Sequence, residues 1–159
     1  MVSLVLYDCN YCFSLPPLGQ LPTLKELPIV GFHGISCVNR EFYGSATKPF
    51  KSLKTLTFEG MPKWEEWVSL EGEDEIGDFP TLRELHIIEC PKLIGDLTSN
   101  LPSLTVLEIR DCQQLVASLP RAPTLHELHL TDCNENVEGI TTYASNSLNW
   151  TMQYVAHRS

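Results

Sequence analysis

One spacing recurs five times in this chain and dictates how it must fold. Between Pro80 and Cys90, the residues Leu82, Leu85, Ile87 and Cys90 stand at relative positions 1, 4, 6 and 9, the pattern LxxLxIxxC. Leu104, Leu107, Ile109 and Cys112 repeat it, as do Leu125, Leu128, Leu130 and Cys133. Looser copies come earlier: Leu24, Leu27, Ile29 and Phe32, then Leu53, Leu56, Phe58 and Met61. A further, incomplete copy is Leu4, Leu6 and Cys9, whose first position falls on Met1. First positions at 24, 53, 82, 104 and 125 give spacings of 29, 29, 22 and 21 residues.

Apolar residues at positions 4 and 6 alternate with polar neighbours, the period-two signal of a half-buried strand. Self-similarity at this period is that of leucine-rich repeats. The fold expected is an α/β-type repeat solenoid, with a parallel β-sheet on the concave face and mostly irregular convex segments. Strands about 4.8 Å apart would make a six-stranded ribbon roughly 25 Å wide. Each unit alone cannot bury its apolar face, so stacking supplies the core. Leu15 and Leu18, Leu93 and Leu97, and Leu115 and Leu119 are expected to close that core from the convex side. The prolines between Leu15 and Pro22 suit an irregular return rather than a helix. Pro22, Pro80, Pro102 and Pro123 set an extended approach into the strands that follow.

Residues 1–133 thus read as one repeat domain of about six units, the first incomplete. Its uncapped first unit suggests an internal or truncated piece of a longer array. Residues 134–159 hold Trp150 and Tyr154 but no LxxLxLxx, and read as a non-repeat tail or cap, the tail being favoured. The two long repeats carry extra loop, from His33 to Pro49 and from Pro62 to Asp78. Between Glu59 and Asp78, eight acids face the single Lys63, a net charge of -7 out of the chain's -9. Trp64 and Trp67 are expected to pin the start of this loop to the solenoid's flank, with the tip from Glu71 to Asp78 mobile and solvated.

The net charge of -9 argues against nucleic acid, which calls for clustered Lys and Arg. No apolar run approaches the ~18 residues of a membrane span. The start lacks a basic n-region and a long apolar h-region, so the expected address is cytoplasmic, or nuclear. Cys9, Cys90, Cys112 and Cys133 share the ninth position and form a ladder along the array, which suits small buried thiols in a reduced compartment. Cys9 and Cys12 form one CxxC, but without a second CxxC or a nearby His it does not make a zinc or redox centre.

No catalytic, cofactor-binding or metal-binding residues are assigned. His126-Glu-Leu-His129 has one residue too few for HExxH and lies in a strand, where positions three apart face opposite ways. The chemistry therefore lies in the side chains between the buried positions, which face the concave surface. One column is Val5, Pro28, Thr57, His86, Glu108 and His129; beside it run Ser3, Glu26, Thr55, Glu84, Val106 and Glu127, and then Tyr7, Val30, Glu59, Ile88, Arg110 and Thr131. Glu26, Thr57, Glu59, Glu84, His86, Ile88, Glu108, Arg110, Glu127 and His129 are the candidate partner-binding residues. Mixed charge beside open aliphatic side chains suits a protein partner; taken singly, plain solvation is the favoured reading of each. A truncated non-functional fragment and a regulatory adaptor remain alternative readings.

Three stretches resemble one family, the plant disease-resistance proteins. They are the LxxLxIxxC units with their Pro-Ser/Thr-Leu lead, the run Leu15-Pro-Pro-Leu-Gly-Gln-Leu-Pro-Thr-Leu-Lys-Glu-Leu27, and Phe50-Lys-Ser-Leu-Lys-Thr-Leu-Thr-Phe-Glu-Gly-Met-Pro-Lys-Trp-Glu-Glu-Trp67. Glu41-Phe-Tyr-Gly44 fits as well, and the similarity spans residues 2 to 134. The chain resembles the repeat region of coiled-coil, NB-ARC, leucine-rich-repeat immune receptors. That resemblance implies recognition of a pathogen effector or a guarded host protein, and autoinhibitory contact with the NB-ARC nucleotide switch. No GxxxxGK[ST] occurs, so ADP or ATP would belong to an upstream domain and no cofactor is carried over to this chain.

Overall fold

The computed structural model describes residues 2–70, 77–95, 97, 100–115 and 122–133, together with the backbone of a strand at Thr151–Val155. Its main element is the parallel sheet that the spacing predicts. In chain order the strands are β1 (Leu6–Tyr7), β2 (Glu26–Val30), β3 (Cys37–Val38), β4 (Thr55–Glu59), β5 (Glu66–Trp67), β6 (Glu84–Ile88), β7 (Val106–Arg110), β8 (Glu127–Thr131) and β9 (Thr151–Val155). Seven of them form one sheet in the order β1-β2-β4-β6-β7-β8-β9. The register sets like positions side by side: Leu27, Leu56, Leu85, Leu107 and Leu128 make one row, and Ile29, Phe58, Ile87, Ile109 and Leu130 the next. Both rows are buried and form the wall of the core.

Each strand stops at the same place. The eighth repeat position is left-handed in six units: Asp8, Gly31, Gly60, Glu89, Asp111 and Asp132, with φ between 51° and 74°. Glycine adopts that region without a Cβ penalty, and aspartate tolerates it better than most residues. The turn aims the N–H of Asp8, Gly31, Gly60, Glu89 and Asp111 at the seventh-position carbonyl of the next unit, as in Gly31 to Glu59, Gly60 to Ile88 and Glu89 to Arg110, at 2.9–3.0 Å. At the other end, the hydroxyl before four of the first leucines ties units together. Ser52 donates to Pro22 O at 2.7 Å, Thr81 to Leu53 O at 2.9 Å, Ser103 to Pro80 O at 2.7 Å and Thr124 to Leu104 O at 2.8 Å.

The ninth-position thiols behave as the ladder reading expects over most of its length. Cys90 and Cys112 are buried, and each thiol donates to a carbonyl. Cys133 is half-buried, and burial pushes its thiol up to about 11. The N-terminal end needs a correction. Cys9 is joined to Cys12 in a disulfide, with Cα atoms 5.6 Å apart, rather than standing as the first free thiol of the ladder. The CxxC spacing and the tight turn between the two residues bring the sulfurs together.

The long repeats hold more than loop. β3 and β5 pair in parallel, Cys37 with Glu66 and Val38 with Trp67, as a second sheet on the return side of the solenoid. Ser36 O accepts from both Glu65 N and Glu66 N, and Ile94 N donates to Glu65 O, so the third unit joins the ladder. Between the two walls sits an aromatic cluster of Phe42, Tyr43, Phe50, Phe58, Trp64, Trp67 and Phe79, every member almost fully buried. Phe50 and Phe79 stack with centroids 4.9 Å apart, while Phe58 meets Trp64 at 4.6 Å and Trp67 edge-on at 5.2 Å. The tryptophans do more than pin a flank: they fill the core. Gly19, in the 3₁₀ turn Leu18–Gln20, lies so close to the Tyr43 backbone that any Cβ would collide with it.

Two further expectations meet the structure differently. Leu15, Leu18, Leu93, Leu97 and Leu115 close the core as anticipated, whereas Leu119 lies outside the described residues. Of the acidic tip, 71–76 lies outside the described residues too, but Asp78 is buried rather than solvated. Its Oδ2 accepts from Ser69 Oγ and Leu70 N, both at 2.9 Å. The sheet also gains a strand beyond the six that the spacing counts: β9 pairs with β8 in register, Leu128 with Met152 and Leu130 with Tyr154. Continuing that register puts Asn149 at the first position and His157 at the ninth, which is why no LxxLxLxxC shows there.

Candidate protein-interaction face

The odd positions of the strands form the open surface of the large sheet. Register fixes their columns: Glu26, Thr55, Glu84, Val106 and Glu127; Pro28, Thr57, His86, Glu108 and His129; Val30, Glu59, Ile88, Arg110 and Thr131. The ten candidate residues therefore share one face, on rungs about 4.8 Å apart. Glu26, Arg110 and Glu127 are exposed; Thr57, Glu59, Glu84, His86, Glu108 and His129 are half-buried. Ile88 departs from the expectation of an open aliphatic side chain. Lying between Glu59 and Arg110 in the register, it is only 7% exposed.

Electrostatics on this face centre on two imidazoles. His86 lies between carboxylates, with Nε2 3.5 Å from Glu84 Oε2 and Nδ1 3.4 Å from Glu108 Oε1. His129 Nε2 stands 3.2 Å from Glu127 Oε2. Neutral imidazole can donate to only one of these carboxylates at a time, while imidazolium donates to both. The face thus carries Glu26, Glu59, Glu84, Glu108 and Glu127, with two imidazoles and Arg110 among them. Among the described residues, no group of three His, Cys, Asp or Glu is placed to hold a metal ion. His126 and His129 do not converge, because His126 sits exposed ahead of the strand and His129 on the open face.

Tyr43, Trp67 and Asp78 carry polar chemistry that the spacing did not single out. Trp67 Nε1 donates to the Tyr43 hydroxyl at 3.0 Å, and that hydroxyl donates to Val68 O at 2.7 Å. Burial, with Asp78 nearby, pushes the Tyr43 phenol well above its usual range. Burial likewise raises the Asp78 carboxyl above its ordinary 3.8, against the two donors that hold it. These groups brace the second wall and reach no open surface. A sequence signal for that wall exists: the twelfth repeat position carries Cys12, Ile35, Trp64, Leu93 and Leu115, apolar in the first five units, with Asn136 in the sixth.

No protein-family model and no solved structure matches the chain. Curated relatives do match. Disease resistance RPP13-like protein 1 of Arabidopsis thaliana is 45% identical over 120 residues, 70% of this chain and 11% of its own length. A second Arabidopsis thaliana disease resistance protein is 45% identical over 116 residues, 70% of this chain and 8% of its own. Disease resistance protein RGA2 of Solanum bulbocastanum is 33% identical over 124 residues, 74% of this chain and 12% of its own. The chain therefore spans only 8% to 12% of the length of these relatives. It is a leucine-rich-repeat homologue of one segment of the plant disease resistance proteins.

Proposed function

We propose that the chain is a protein-recognition segment of a plant disease resistance protein, and that it acts in defence by binding rather than by catalysis. The observation that carries this reading is the open sheet face. Its register lines up mixed charge, two imidazoles and half-buried Thr and Glu side chains on a rigid wall. Such a wall holds its donors and acceptors in place, so little ordering entropy is lost when a partner docks. The partner class follows from the family resemblance: a pathogen effector, a guarded host protein, or the NB-ARC domain of the same receptor, which the repeats would hold inactive. A cytoplasmic or nuclear setting belongs to the same reading. Among the described residues no helix is long and apolar enough to cross a membrane.

The test is a binding screen of effector and host-protein libraries against the chain and against its Glu84→Lys/Arg110→Glu variant. Both side chains stand on the open face, so the variant should fold normally while partner capture falls by at least about tenfold, about 1.4 kcal/mol. Unchanged capture by a folded variant would move the site off the concave face.

A further inference from the structure

The concave columns are acidic, yet the chain also carries an organised row of cations that they do not use. At the second repeat position, just ahead of each strand, stand Lys25, Lys54 and Arg83. The backbone locks them on successive rungs: Lys25 O accepts from Lys54 N at 2.7 Å and Thr55 N at 3.0 Å, and Lys54 O from Arg83 N at 2.8 Å and Glu84 N at 3.0 Å. Lys48 and Lys51 precede Lys54 in the chain. They line an open cleft of about 360 Å³ with Gly19, Gln20, Pro22 and Thr47. Five of the chain's 11 cations thus gather on the leading edge of the sheet. Four of them are exposed and Lys54 is half-buried.

None of the five forms an ion pair among the described residues, although Glu26 and Glu84 adjoin Lys25 and Arg83 in sequence. In an acidic protein, an edge whose cations outnumber its carboxylates is a surface of opposite sign to the rest. The opposite edge, where the strands end, carries Asp8, Glu59, Glu89, Asp111 and Asp132. Five cations against Glu26, Glu84 and Glu127 at the leading edge, and five acids against Arg110 at the other, leave a charge difference along the strand direction.

We infer that the leading edge is a second docking surface, separate from the concave face, and that its partner is an acidic protein segment in extended conformation. Rungs about 4.8 Å apart set the cation spacing, and an extended peptide places side chains of one face about 7 Å apart, within reach of flexible Lys and Arg. A nucleic-acid duplex fits less well. It carries a charge per ~1.7 Å of axis, and a footprint that wide would press phosphates onto Glu26, Glu84 and Glu127.

A fluorescein-labelled 12-residue peptide of alternating Glu and Ser, titrated with the chain and followed by anisotropy, tests the assignment. Saturable binding that weakens between 50 and 150 mM salt is expected. The Lys25→Glu/Lys54→Glu/Arg83→Glu variant should lose on the order of tenfold in affinity. The concave Glu84→Lys/Arg110→Glu variant should keep the peptide, which separates this surface from the concave one. If circular dichroism shows the triple variant unfolded, Lys48→Glu/Lys51→Glu decides in its place. Absence of saturable binding, equal affinity in the folded variant, or a labelled 12-base-pair duplex binding as tightly as the peptide would each overturn the assignment.

Discussion

The long repeats from Leu24 to Asp78 and the short ones from Leu82 to Cys133 solve the same problem with different side chains. In the short units a Leu or Ile at each inward position and a ninth-position Cys, with Leu93 and Leu115 at the twelfth position of the first two, close the core with no aromatic residue among the described buried ones. The long units enclose a wider space. They fill it with the cluster of seven aromatic side chains and a second strand pair, and they place Phe32 and Met61 where the short units use Cys. The comparison teaches that unit length and core residue size are coupled. About seven additional residues per unit are stable only if large side chains occupy the volume they enclose, because interiors are filled to crystal-like density.

Truncation at the centre of the aromatic cluster is the sharpest way to break the contrast. Trp64→Ala should cost about 3–5 kcal/mol in urea unfolding, towards the upper end of core truncations, whereas Leu107→Ala in the short half should cost about 2–5 kcal/mol. Equal losses at the two sites would mean that the aromatic wall adds nothing beyond area. Removing the Tyr43 hydroxyl separates polar bracing from volume. Tyr43→Phe leaves the Val68 carbonyl and the Trp67 N–H without partners and should cost about 1–3 kcal/mol in the same assay.

A comparable loss is expected from the turn column. Gly60→Ala puts a Cβ on a residue at φ 66° and should cost about 1–2 kcal/mol, measured as a shift in the urea midpoint. The smallest effect belongs to Asp78. Its folded carboxyl titrates above its unfolded value, so the native state binds the proton more tightly. Stability then falls as pH rises from 3.8 through the folded value, and the loss is complete above it. Asp78→Asn keeps an oxygen for the Ser69 and Leu70 donors and removes the charge. Urea unfolding across pH 4 to 7 should show the variant gaining on the wild type as pH rises; a wild type that gains instead would reverse the sign of the burial effect.

The strand array was legible because leucine at positions 1 and 4 and an aliphatic residue at 6 leave one inward direction per strand. A slip of one residue would turn every one of them outward. That is why Glu84, Val106 and Glu127 could be placed in one column from spacing alone. The second wall was not legible because β3 and β5 are two residues each, too short for a period to show. The clue was comparative: Val38 and Trp67 are 29 residues apart, the unit spacing itself. Asp78 was misread because a carboxylate in an acidic run looks solvated until the donors of Ser69 and Leu70 are found beside it. Ile88 was misread because exposure on a face depends on the neighbours to either side, here Glu59 and Arg110.

The paired β3 and β5 also bear on the shape of the surface offered to a partner. A solenoid bends when its two sides advance by different amounts per unit. Where β2 and β4 face β3 and β5, both sides step by one strand spacing, which favours a straight run. Among the described residues the short units add no strand to the second wall, although Ile94 N bonds Glu65 O. Glu26, Thr57 and Glu59 are thus backed by two strand walls, and a partner pressing on them would meet a stiffer surface than one pressing on Glu108, Arg110, Glu127 and His129.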